Sequence, residues 1–255
     1  MAVAEEVPIA IVYDQEPHAV LMGTPLDLED LAVGFSLTED VIRCAEDLRA
    51  IDVVRHSRGI ELKIQLDPGA MTATRLRARR MSSRTGCGLC GVEALDDALR
   101  TPCPVSSGAT YELATIWQAS REFERHQTLN AGTRTVHGAC WVDAEGVIQI
   151  VREDVGRHNA LDKVIGALAR SATPAESGFF VVSSRASFEM VQKTAVAGVP
   201  LLAAVSRPTG LAIDLADSLG LTLVGLLRGE SALLYTHPER IVMGPAAPPA
   251  ASATP

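Results

Sequence analysis

The chain has 255 residues, 47% hydrophobic and 21% charged, with a formal net charge of −8. That composition fills one large or two modest globular cores, and its acidic balance argues against general nucleic-acid binding, which needs a basic surface. Apolar runs such as Leu201–Val205 and Leu221–Leu227 fall far short of the roughly 20 residues of a membrane span.

In chain order, Pro8–Tyr13 and His18–Met22 read as short strands. Thr24-Pro25-Leu26-Asp27 then reads as a capping box with Thr24 as N-cap. The helix it opens continues through Leu31 and Phe35, and a second cap at Thr38 is expected to start a short helix with Val41 and Ile42 inward. Ile51–Arg55 and Ile60–Leu66 alternate around Ser57-Arg58-Gly59 as a hairpin. Residues 1–105 are thus expected to be a small α+β domain that ends in an arginine run, a cysteine loop, a short helix over Val92–Leu99 and a Pro/Ser/Gly connector.

Residues 106–243 carry a different pattern. A helix over Tyr111–His126 precedes an antiparallel hairpin, Val136–Val142 with Val147–Arg152. Helices Val155–Arg170, Ser187–Ala197 and Gly210–Leu219 then alternate with strands Phe179–Ser183, Leu201–Val205 and Thr222–Leu227, and Ala232–Tyr235 adds a last short strand. This is the order of a cytidine-deaminase-like α/β fold with a mixed sheet, but neither helix start carries the His-x-Glu or Pro-Cys-x-x-Cys of the zinc deaminases. Residues 244–255, rich in Ala and Pro, are expected to be a disordered tail.

The densest chemistry is Thr85-Gly86-Cys87-Gly88-Leu89-Cys90-Gly91, preceded by Arg75, Arg77, Arg79, Arg80 and Arg84. The glycines favour a mobile loop. Zinc ligation would need two further donors, and the pair His137 and Cys140 lies in a strand whose alternation sends them to opposite faces. A thioredoxin-like reading wants a strand before the motif, where the arginines stand. A nucleophilic cysteine fits better, because nearby cations lower a thiol pKa and a mobile thiolate can carry a group between partners. Incidental surface thiols would not require three interleaved glycines. The N-terminus lacks the basic and apolar regions of a secretory signal, and an odd count of five cysteines is no disulfide framework, so a reducing cytoplasm is expected.

Elsewhere, Glu153-Asp154-Val155-Gly156-Arg157-His158-Asn159-Ala160-Leu161-Asp162-Lys163 crowds ionisable groups onto a strand-to-helix transition, with Asp154 as a cap and Arg157, His158 and Lys163 placed for an anion. Ser183-Ser184-Arg185-Ala186-Ser187 and Ser206-Arg207-Pro208-Thr209-Gly210 repeat that composition at two further transitions. Ser187 and Thr209 also serve there as ordinary helix caps.

With these motifs the chain resembles the FdhD/NarQ family, the formate dehydrogenase accessory sulfurtransferases. The resemblance runs from Glu6-Val7-Pro8 to Tyr235-Thr236-His237-Pro238-Glu239-Arg240. It implies a homodimer that takes persulfide sulfur from a cysteine desulfurase and passes it to a molybdenum bis(molybdopterin guanine dinucleotide) cofactor bound for formate dehydrogenase. Cys87 matches the persulfide-carrying cysteine and Cys90 the supporting one, and Leu226, Leu227, Arg228, Gly229, Glu230 and Ser231 match the cofactor-binding segment. His158 and Arg185 are the expected anion contacts beside it, and no intrinsic metal, nucleic acid or membrane partner is expected. The rival reading is a cofactor chaperone whose cysteines do no covalent work. The chain departs from the family where Arg134-Thr135 replaces Gly-Gly, Ser184 replaces Gly, Arg207 replaces Ala and Tyr13-Asp14 replaces Asn-Gly.

Overall fold

The computed structural model describes residues 2–68, 101–171 and 173–244. Cys87, Cys90, the arginine run, the expected helix over residues 92–99 and the tail beyond residue 244 lie outside the described residues.

The N-terminal unit is a four-stranded sheet with one helix on it. Strands β1 (Val7–Tyr13) and β2 (Glu16–Gly23) form a hairpin, β3 (Leu48–His56) and β4 (Gly59–Leu66) form another, and β1 pairs parallel to β4 to give the order β2-β1-β4-β3. Alternation along β1 and β4 sends Ile9, Ile11, Ile60, Leu62 and Ile64 inward against Leu28, Leu31 and Phe35 of helix α1 (Leu28–Thr38). The helix starts differently from the capping-box expectation. Asp27 is the N-cap, in a left-handed conformation with no side-chain cap bond, and the Thr24 hydroxyl instead accepts from Val155 N at 3.1 Å. Nor does a second helix start at Thr38. That residue ends α1, and the turn at Asp40 (φ +58°) brings Val41 and Ile42 into the core as irregular chain.

The second unit follows the deaminase-like order. Strand β5 (Tyr111–Glu112) leads into helix α2 (Leu113–His126) and the short α3 (Thr128–Thr133), after which β6 (His137–Asp143) and β7 (Ile148–Asp154) form the hairpin. Then α4 (Arg157–Ala169), β8 (Gly178–Val182), α5 (Phe188–Val196), β9 (Leu201–Ala204), α6 (Gly210–Ser218), β10 (Thr222–Arg228), β11 (Ser231–Thr236) and β12 (Ile241–Val242) complete it. The six-stranded sheet runs β11-β10-β9-β8-β6-β7, with β8, β9 and β10 parallel and β6 antiparallel to its neighbours β7 and β8.

Its two faces bury separate cores. Ala139, Trp141, Phe180, Val182 and Leu202 meet α4, α5 and α6, whereas Cys140, Val142, Phe179, Val181 and Ala203 meet α2. Cys140 therefore lies on the face opposite its odd-numbered neighbours, and burial pushes its thiol pKa up. At about 1.5–3 kcal/mol per fully buried large apolar side chain, these cores carry the stability. Polar contacts between the units set orientation.

Those units meet where α1 crosses α4. A Cβ on Gly34 would collide with the Asp162 carbonyl oxygen, and one on Gly166 with that of Asp30 and, at 2.8 Å, with Gly34 N. Glycine at both positions is what permits two helix backbones to touch. Among the described residues no helix is long and apolar enough to cross a membrane.

Candidate functional site

In an open parallel sheet, ligands bind beyond the carboxyl ends of the strands. Here β8, β9 and β10 all end on one edge, where β6 begins and β7 finishes, since His137 opposes Asp154 and Ala139 opposes Val182. That edge gathers His137, the start of α4, the Ser183–Ser187 loop, the Ser206–Thr209 loop and the end of β10. Sequence-distant motifs thus converge because each sits at a strand-to-helix transition of the same sheet.

On the α4–α5 side, His158 is largely buried, with Nε2 3.8 Å from Glu189 Oε2, an ion-pair distance too long for a hydrogen bond. Arg157 Nε is likewise buried without a protein acceptor. Orphaned buried donors call for a further partner, so both side chains suit an anionic or polar ligand. The first N–H groups of α4 and α5 have no partner within their own helices and add to that suitability.

Glu189 organises the opposite wall. Burial works against its charge, yet the His158 imidazole, the Ser187 hydroxyl at 2.8 Å and its own backbone N–H draw its pKa down to about 2. The His137 pKa is lowered, first by burial and then by the Arg157 and His158 charges. Glu189 is not among the residues that sequence reasoning assigns to the site; it stands two residues after a serine at a helix start. Ser187 is the N-cap of α5 by position but makes no side-chain cap bond, because its hydroxyl goes to Glu189. Thr209 does cap α6, accepting from Ala212 N at 3.4 Å.

The β10 side is shaped by a bulge. Leu226 takes φ +53°, rare for a branched residue and a marker of constrained functional backbone. The ladder to β11 shifts register between Gly225 and Arg228, and Leu226 N donates to Ser206 O at 3.2 Å. Gly225 has no room for a Cβ, which would press on Pro208 Cδ and Tyr235 Cε2 at 2.9 Å. Leu226 is thereby tied to the Arg207 loop, whereas Leu227 is buried in the α2-side core; Arg228, Gly229, Glu230 and Ser231 are exposed, and the Arg121 guanidinium of α2 donates to Gly229 O at 3.4 Å. Arg185 and Arg207 are exposed on neighbouring loops. Arg134 takes a left-handed φ of +53° shortly before β6, a conformation that favours glycine.

Other members of the 153–163 stretch do something else. Lys163, expected at the anion site, is fully buried, with Nζ 2.7 Å from Asp154 Oδ2 and 3.0 Å from Thr24 O. Its position on α4 turns it toward the N-terminal unit, and its charge is taken up by Asp154 at the end of β7. Asp154 accepts from Thr24 N and Gly156 N, and Asn159 bonds both Asp154 and Met22 O. Glu153 caps α3, accepting from Leu129 N and Asn130 N at 2.8 Å each. Arg157 and His158 are what remains for a ligand. No group of three or more His, Cys, Asp or Glu among the described residues could hold a metal.

The FdhD/NarQ family model matches residues 4–242. Among curated proteins, the chain is 49% identical over 242 residues to the sulfur carrier protein FdhD of Xanthomonas axonopodis pv. citri, covering 95% of this chain and 86% of the relative. It is 47% identical over 243 residues to the protein of that name in Bordetella petrii, covering 95% and 87%. A crystal structure from Desulfotalea psychrophila, described as a formate dehydrogenase accessory protein, superposes with a TM-score of 0.73 at 27% identity, covering 94% of this chain and 90% of that one.

Proposed function

The chain belongs to the FdhD/NarQ family, and from that premise we propose that it is a sulfur carrier serving a formate dehydrogenase. Cys87 is its sulfur-bearing residue. The Cys87 thiolate attacks the outer sulfur of a desulfurase persulfide, the new S–S bond forms as the old one breaks, and the desulfurase thiolate leaves. Cys90 assists. The acceptor is the molybdenum bis(molybdopterin guanine dinucleotide) cofactor, which is substrate here and not a resident group.

The strand-end edge is the site we assign to that substrate. His158 and Arg185 meet its diphosphate and Leu226–Ser231 lies along the nucleotide. The observation that carries the reading is the β10 bulge, where a left-handed Leu226 donates to the Ser206 carbonyl and so ties the start of the 226–231 segment to the Arg207 loop. Nearly full-length similarity to proteins named sulfur carriers supports the reaction class. Calorimetry with GDP, a fragment of the substrate, tests the site. Binding that is weakened by Arg185→Ala supports it, and no binding refutes it.

A further inference from the structure

Two helices form the walls of the strand-end site, and the N-terminal unit holds both from behind. α4 brings Arg157 and His158. About one and a half turns further on, its Lys163 bonds Asp154 and the Thr24 carbonyl, while the Thr24 hydroxyl accepts from Val155 N just before the helix begins. α5 begins beside Ser187 and Glu189. Near its far end, Lys193 Nζ reaches both Asp162 oxygens at 2.9 Å and Thr38 Oγ1 at 2.8 Å, with Glu39 at 3.7 Å. Asp162 belongs to α4 and Thr38 to α1, so this second network joins three helices, and the Thr38 hydroxyl donates to Asp162 at 2.8 Å. The backbones of α1 and α4 also touch directly, at Gly34 and Gly166. Neither wall can slide without disturbing a buried charge.

The residues of α4 divide by face. Asn159, Asp162, Lys163 and Gly166 serve the joint, whereas Arg157 and His158 serve the site. The contact between walls is also sensitive to small shifts: at 3.8 Å, His158 and Glu189 stand just beyond hydrogen-bond reach.

We infer that Thr24 and Thr38 are positioning residues, which set the separation of the α4 and α5 starts and through it the affinity of the strand-end site for a diphosphate-bearing ligand. The inference rests on the ligand reading proposed above. Full-length Thr24→Val and Thr38→Val variants, measured with GDP by calorimetry at a temperature where melting curves show each fully folded, are expected to bind roughly 2- to 30-fold more weakly, the usual scale of coupling through a packed network. Thr24→Ser keeps the hydroxyl and is expected to restore wild-type affinity. Lower melting temperatures with unchanged GDP affinity would overturn the inference, because the joint would then be structural alone. The His158 imidazole signals in proton–nitrogen spectra of the ligand-free protein give a second readout. They are expected to move in both valine variants, and unmoved signals would overturn the positioning role whether or not GDP binds. Absence of GDP binding by the wild type would overturn the ligand assignment instead.

Discussion

Replacing Gly166 with alanine sets two effects of opposite sign against each other. In a helix interior, alanine is favoured over glycine by about 1 kcal/mol, so propensity alone predicts stabilisation. At Gly166, however, the new methyl would fall inside the Asp30 carbonyl oxygen and close to Gly34 N. Both neighbours are helix backbone, which cannot rotate aside as a side chain would. Relief requires α1 and α4 to part, and overpacking of this kind costs about 1–3 kcal/mol. Parting also strains the bonds that span the crossing, Thr38 to Asp162 at 2.8 Å and Arg152 to Asp30 at 2.7 Å. Losing one buried hydrogen bond adds about 1 kcal/mol. The steric term wins. Gly166→Ala is expected to destabilise the protein by about 1–3 kcal/mol net, lowering the melting temperature by roughly 2–12 °C for a chain of this size. Gly132→Ala is the matched control, since a methyl there would meet nothing within 4 Å. It is expected to be neutral or to stabilise by up to about 1 kcal/mol. Chemical denaturation of both variants checks the pair, and a Gly166→Ala protein as stable as the Gly132→Ala one would refute the close crossing.

The remaining expectations concern charge, ligand and metal. Lys163→Met leaves the Asp154 carboxylate buried without its cation and is expected to cost about 3–5 kcal/mol, much of it recovered when Asp154→Asn is added. Denaturation of both variants measures this, and additive losses would show that the two groups are not partners. Arg185→Ala is expected to weaken GDP binding by about 1–3 kcal/mol, while Cys87→Ala leaves it unchanged. The opposite pattern in calorimetry would put the pocket elsewhere. Elemental analysis is expected to find no stoichiometric zinc, given that Cys140 lies buried on the α2 face and His137 near Arg157 and His158. One zinc per chain would contradict this.

The sequence made most of the second unit legible, because its cues are local. Short apolar runs such as Phe179–Val182, the Asp143–Gly146 turn and the helical spacing of Leu113, Ile116, Ala119 and Phe123 each fix an element without reference to the rest of the chain. What failed depended on distant partners. Thr24 read as a cap because Ser and Thr before an apolar run usually are, but its hydroxyl belongs to Val155, more than a hundred residues away. Lys163 read as an anion contact because it follows a strand-to-helix transition, the usual place for an anion in an open sheet. Its spacing from Asn159 and Gly166 marks one helix face, yet no sequence pattern says that the face is buried against Thr24.

The candidate site was legible in the same uneven way. His158 and the Ser183 and Ser206 loops were found by composition at strand ends, and β10 was found by its apolar run. The left-handed Leu226 was invisible, since leucine carries no turn signal and the bulge arises from the Ser206 carbonyl and the space around Gly225. Glu189 was hidden because a single acid in the first turn of a helix is ordinary. Its significance comes only from His158 on the neighbouring helix.

Sulfur on Cys87 is the central claim, and intact-protein and peptide mass spectrometry after incubation with a cysteine desulfurase and cysteine tests it most directly. The expected result is an adduct of about 32 Da, one sulfur atom, that maps to Cys87, disappears on thiol reduction and is absent from Cys87→Ala. A protein that binds GDP yet stays unmodified under these conditions would contradict the carrier mechanism and leave a cofactor-binding role in its place.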